Sequence, residues 1–166
     1  MTLADYIRAL IFELGASDPA GFIRLQEVVG ARAARIELDE EQVVAVFAQG
    51  GLQLEPAVSF TVEGSGGTDS ATVLDLLDGN VEVSTAILDG SLRLTGDCDD
   101  IGRICLAIEI LLSASARSPE LQRLADQFRS SHRSARRARE GVAWYPFAPS
   151  ASEVGLLQRL DLSPDS

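Results

Sequence analysis

The amino-acid sequence predicts an α+β fold: a five-stranded antiparallel sheet covered by helices, extended by a C-terminal helix and tail. Three observations predict it. Apolar residues recur at helical spacing towards both ends of the chain, the period shortens to two between Arg32 and Val62, and glycines punctuate the changes. Apolar residues at i, i+3, i+4 and i+7 mark one face of a helix, whereas alternation marks a half-buried strand. An antiparallel sheet of this kind buries one face, which helices must cover.

Leu3, Ile7, Leu10, Ile11 and Leu14 predict a first helix over residues 3–14, with Gly15 just beyond it. Ser17-Asp18-Pro19 restarts the chain as a second helix, since proline is tolerated in a first turn; Phe22, Ile23, Leu25 and Val29 follow, and Gly30 stops it. Arg35-Ile36-Glu37-Leu38, Val44 to Phe47, Leu52 to Glu55 and Val58 to Val62 then alternate, broken at Asp39-Glu40-Glu41, Gly50-Gly51 and Pro56. Closely spaced strands with tight turns imply an antiparallel meander.

Gly64-Ser65-Gly66-Gly67 reads as a flexible connection, and it lacks the lysine that a phosphate-binding P-loop requires. Ser70 is placed to cap a helix carrying Val73, Leu74 and Leu77, which stops before Gly79. Asn80 is placed to start another that runs to Leu88 and stops at Gly90. Ser or Asn at a helix start and Gly at its end is the usual asymmetry. Ser91 to Thr95 alternates as a fifth strand, and Gly96-Asp97 turns it into a long helix striped by Ile101, Ile104, Cys105, Ile108, Leu111 and Leu112.

Ser118-Pro119-Glu120 opens a last helix reaching about Arg139, with Leu121, Leu124, Ala125, Phe128, His132 and Ala135 on one stripe. A stripe of that width reads as a face docked on its own domain. Trp144-Tyr145-Pro146-Phe147 then concentrates aromatic side chains suited to plugging a groove or anchoring a partner. The predicted organisation is a domain over residues 1–116, followed by an arginine-rich helix and aromatic tail over 117–166.

At 166 residues the chain is long enough for one domain with a sizeable core. Every basic side chain is arginine, as in a GC-rich bacterial genome. Residues 1–116 hold 19 acids against 6 arginines, while residues 117–166 hold 8 arginines against 6 acids. An acidic body argues against nucleic acid as a partner. No apolar run reaches the roughly 18 residues of a membrane span, and Met1-Thr2-Leu3-Ala4-Asp5-Tyr6 lacks the basic start of a secretory signal. Cys98 and Cys105 are separated by two helical turns, roughly 10 Å, beyond disulfide reach. Two reduced cysteines and the absent signal read as a cytoplasmic protein.

The stretch from Asp75 to Leu112 resembles the sterol carrier protein type two family. The residues that carry the resemblance are Asp75-Leu76-Leu77-Asp78-Gly79, Ala86 to Gly90, the run Gly90-Ser91-Leu92 with Gly96-Asp97, and the helix from Ile101 to Leu112. The order of elements extends it over about residues 1–115. The resemblance implies a sheet covered by helices around an apolar tunnel that carries a lipid, acyl chain, sterol or isoprenoid. With His132 the single histidine, no Cys/His metal site is expected, and no cofactor is expected either.

From it we expect Phe47, Phe60, Leu74, Leu77, Ile87, Leu88, Ile104 and Ile108 to line the tunnel, with Trp144 or Phe147 at its mouth. Leu88→Trp is then expected to fill it. Two other readings stand beside this one. An accessory module would hold a protein partner or a second copy through residues 117–147. A small biosynthetic enzyme would need an acid such as Asp75, Asp78 or Asp97 inside the pocket. No catalytic residues are nominated: His132 sits in the arginine-rich helix, and Asp97-Cys98-Asp99-Asp100 is the acidic start that a helix dipole favours over a cation site.

Overall fold

Thr2 starts the chain's first helix. In the computed structural model, which describes residues 1–48, 51–56 and 62–133, its hydroxyl accepts the Asp5 amide. The Asp5 carboxylate in turn accepts the Thr2 amide and hydroxyl. This capping box satisfies donors that a helix start otherwise leaves unbonded. Helix α1 (Leu3–Ser17) runs through Gly15, beyond the predicted end, and stops at Asp18. Asp18 caps α2 (Pro19–Val29) by accepting the Gly21 amide, with Pro19 in the first turn. Gly30 ends α2 at φ 62°, a conformation that costs glycine little.

Strands β1 (Ala33–Leu38), β2 (Glu41–Ala48) and β3 (Gly51–Pro56) form the predicted meander, pairing antiparallel in sequence. The sheet as a whole is mixed, not antiparallel. Strand β4 (Gly64–Thr68) lies on the other side of β1 and pairs parallel to it, giving the order β3-β2-β1-β4-β5, with β5 (Leu92–Thr95) at the far edge. Strand β3 runs in the same direction as β1, and the chain enters β4 from the opposite end, level with Ala34 at the start of β1, so β4 runs parallel to β1. Most of the predicted strand Val58 to Val62 lies outside the described residues. The glycine run read as a flexible connection is strand β4 itself.

The reason for those glycines is packing. Helix α5 (Cys98–Arg117) presses onto β4, and a Cβ on Gly64 would stand 3.2 Å from Ile104 Cδ1 and 3.3 Å from Asp100 Cβ. On Gly66 it would stand 3.4 Å from Leu94 Cδ2. Glycine inside a strand marks such a close approach.

Two predicted caps are displaced. Helix α3 (Ser70–Leu77) is capped by Asp69, which accepts the Thr72 amide. Ser70 instead bonds the Asp39 carboxylate through its amide and its hydroxyl, tying α3 to the β1–β2 turn. Helix α4 (Val83–Leu88) starts after Glu82 without a side-chain cap, and Asn80 reaches back to Asp75 at 3.4 Å.

Helix α6 (Pro119–Ser131), capped by Ser118, buries Leu121, Leu124, Ala125 and Phe128 against α1 and α5. Tyr6 meets Phe128 edge-on at 5.1 Å, and His132 stacks on Phe128 at 4.2 Å. Arg129 holds Asp78 at 2.8 Å. The remainder of the predicted helix, and Trp144 and Phe147, lie outside the described residues. Two core clusters result. Leu3, Tyr6, Leu38, Val43, Leu74, Leu124 and Phe128 form one; Leu14, Leu25, Ile110, Ala114 and Leu121 form the other.

Carboxylates at three helix starts sit below their ordinary pKa. The Thr2 hydroxyl lowers Asp5, the Asp100 amide lowers Asp97, and backbone hydrogen bonding lowers Glu120. A depressed folded-state pKa contributes stability above the unfolded value, here 3.8 for Asp and 4.5 for Glu, and loses it as pH falls through the folded value. The urea midpoint is therefore expected to be level above about pH 5 and to fall as pH drops below the ordinary carboxylate range. Equal midpoints at pH 3 and pH 6 would contradict this.

Candidate functional site: an apolar cavity between sheet and helices

Alternation along β1 turns Ala34, Ile36 and Leu38 to one face of the sheet. The antiparallel register sets Ala45 beside Ala34 and Val43 beside Ile36, and the parallel register adds Gly64, Gly66 and Thr68. Helices α1 and α5 lie across this face, with α6 against both. They stand off from it, leaving a cavity of about 390 Å³.

Ala34, Ile36, Ala45, Phe47 and Gly66 form its floor. Tyr6, Ile7 and Leu10 of α1, Ile104, Ala107 and Ile108 of α5, and Leu124 and Phe128 of α6 form its roof, with Leu77 of α3 at the side. Ile36, Ala45 and Phe47 are only half-buried although they face the helices, because they border this space.

Six charged residues border the cavity. Arg35 and Glu37 lie along β1, where their side chains alternate to the opposite face from Ile36. The other four, Arg32, Glu63, Asp100 and Arg103, group around the start of α5. Arg32 pairs with Asp100, a residue only 7% exposed, and reaches Asp99 at 3.4 Å. Donating a hydrogen bond to the Asp100 carboxylate raises the Arg32 pKa further. Arg103 holds Asp99 at 2.8 Å and donates to the Val28 carbonyl at 2.9 Å. Glu63 accepts the Ala33 amide at 2.9 Å. The acids at the start of α5 are thus engaged by arginines and by the helix's own amides, and Asp97 caps the helix from outside the cavity. Away from this region, the Tyr6 hydroxyl and the Arg35 Nε are buried with no hydrogen-bond partner among the described residues.

Of the residues expected to line a tunnel, Phe47, Leu77, Ile104 and Ile108 border the cavity. Leu74, 3% exposed, is packed into the first core cluster instead. Ile87 is half-buried and borders no part of the space. Leu88 is 88% exposed: the short helix α4 turns Ala86 inward at 0% and leaves Leu88 in solvent, so Leu88→Trp would fill nothing. Phe60, Trp144 and Phe147 lie outside the described residues. Neither Asp75, Asp78 nor Asp97 borders the cavity. The α1 and α6 walls carried a signal, their apolar stripes, but a stripe that packs and a stripe that lines a cavity look the same.

No protein-family model and no curated protein matches the sequence. Among solved structures, the chain is similar to a ubiquinone synthesis protein, UbiJ-SCP2, with a TM-score of 0.53 and 14% identity over 72% of this chain and 98% of that one. The sterol carrier protein domain 2 of Helicoverpa armigera gives a TM-score of 0.46 at 13% identity, covering 69% of this chain and 88% of its own. Sterol carrier protein 2 like 2 of Aedes aegypti gives 0.44 at 20%, covering 63% and 94%. The first of these likenesses carries the assignment, together with the helix-covered sheet: the chain has the sterol carrier protein 2 fold.

Proposed function

We propose that the protein binds a hydrophobic small molecule, such as a lipid tail, acyl chain, sterol or isoprenoid, in the cavity between sheet and helices, without transforming it. The supporting observation is the cavity itself: about 390 Å³ walled mostly by hydrocarbon. Apolar surface facing such a space forgoes the stabilisation of burial, about 25 cal/mol per Å². A fold that keeps such a space open gains from what enters it. Ligand sites run from about 300 to 1,000 Å³, which puts this one at the small end, suited to one chain or one ring system.

The accessory-module reading has less support. The apolar face of α6 is already spent on α1 and α5, with Leu121 1% and Phe128 6% exposed. A partner using that face would first have to displace it.

Native mass spectrometry of the freshly purified protein, with organic extraction of bound material, tests the proposal. Incubation should extend to fatty acids, sterols and quinones, the last because one structural relative is a ubiquinone synthesis protein. A one-to-one hydrophobic adduct is expected. A mass that stays at the apo value after the whole panel would overturn the reading.

A further inference from the structure

The cavity has two unlike margins. On one side, Arg32 and Arg103 tie the chain around the start of β1 to the start of α5 through Asp99 and Asp100. On the other, α1 faces β3, the edge strand, and no hydrogen bond or ion pair joins those two elements among the described residues. A second groove of about 480 Å³ opens there, bordered by Ile11, Phe12 and Phe22 on the helices, by Gly51 and Leu52 at the start of β3, and by one charged residue, Arg8. Ile11 and Leu52 border this groove and the cavity alike, so the two spaces meet at these side chains. Phe12, 73% exposed, forms the outer lip, and Phe22 continues the apolar surface inward to Phe47, ring to ring at 6.4 Å.

Resting on the cavity-binding reading, we infer that the hydrophobic ligand enters and leaves through the seam between α1 and β3, with Ile11 and Leu52 as the side chains that open and close it. The physical reason is the asymmetry of the margins. Passage through the charged margin would break ion pairs around the buried Asp100 and draw hydrocarbon past four charged groups, whereas among the described residues no ion pair or hydrogen bond joins α1 to β3 and Arg8 is the one charged residue bordering the groove. Rotamer changes of a partly exposed Leu and Ile are small, fast motions. They let a chain slide from one apolar surface to another without meeting water.

Such a portal has a kinetic signature that a binding wall lacks. Narrowing it slows entry and exit together and leaves the equilibrium alone. The probe is cis-parinaric acid, read by equilibrium titration and stopped-flow fluorescence on the full chain. Leu52→Phe is expected to slow association and dissociation alike by about tenfold. Because Leu52 also borders the cavity, the equilibrium is tested with Ala16→Phe, which borders the groove but not the cavity and is expected to slow both rates with Kd within about twofold of the parent. Leu52→Ala and Ile11→Ala are expected to speed both, and they test the seam from strand and helix independently should one variant fold poorly. Rates within twofold of the parent in all folded variants, or a change in Kd without parallel rate changes, would overturn the portal while leaving the cavity reading intact. Absence of probe binding to the parent protein would overturn both for acyl chains.

Discussion

Replacing Leu14 by alanine is expected to remove about 3 kcal/mol or more of stability, the range of fully buried leucines that leave a cavity behind. Leu14 is 0% exposed and packs among Leu25, Ile110, Ala114 and Leu121, so one side chain joins α1, α2, α5 and α6. None of those neighbours can collapse into the gap without moving a helix. In a domain of this length a kilocalorie shifts the melting temperature by about 2–4 °C, so the change should lower it by roughly 10 °C. Urea unfolding should show a lower midpoint at an unchanged slope. Leu88→Ala is the control: at 88% exposure it should move stability by no more than about 0.5 kcal/mol. Leu14 borders no part of the cavity, so the folded fraction of the variant should take up ligand as the parent does. A loss under about 1 kcal/mol would show that the four helices do not depend on this contact.

The residues around Leu14 show what a sequence can and cannot say. The stripes on α1, α5 and α6 were legible because a helix that buries one side must repeat its apolar residues with the helical period. Strand β4 was illegible for the opposite reason. At Gly64, Ile104 and Asp100 come within 3.3 Å of where a Cβ would be, and at Gly66 Leu94 comes within 3.4 Å; nothing local in Gly64 to Gly67 announces a helix donated by residues 98–117 or a neighbouring strand from residues 92–95. The parallel pairing of β1 and β4 is likewise a fact of spatial order, which alternation does not encode.

Caps failed where tertiary partners intervened. Asp69 and Ser70 are both capping residues by type, and Asp39, positioned by the β1–β2 turn, decides between them by taking the Ser70 hydroxyl. For the site, periodicity names the apolar side of an element without saying whether atoms or space lie opposite. Phe47, Leu77, Ile104 and Ile108 face space, Leu74 faces atoms, and α4 is too short at 6 residues to show a stripe that would have excluded Leu88.

The space itself yields the largest functional effect. Ala45→Trp is expected to abolish uptake of a hydrophobic ligand, raising Kd by about 100-fold or more, while the protein stays folded. Ala45 lies on the central part of the floor, on β2, with Ala34 and Leu54 as its cross-strand neighbours, so an indole here projects into the cavity and not into a packed layer. Overpacking a filled core costs about 1–3 kcal/mol, but a ring entering some 390 Å³ of apolar space gains contacts in place of strain. The variant should therefore melt at or above the temperature of the parent. Tryptophan also suits a strand, so the sheet has no reason to rearrange. Leu88→Trp, placed in solvent, should change neither property. The two outcomes separate a cavity that binds from a cavity that is merely present. A folded Ala45→Trp that takes up ligand as the parent does would place the ligand elsewhere on the molecule. A folded variant that has lost uptake and gained stability would show that ligand and indole compete for the same volume.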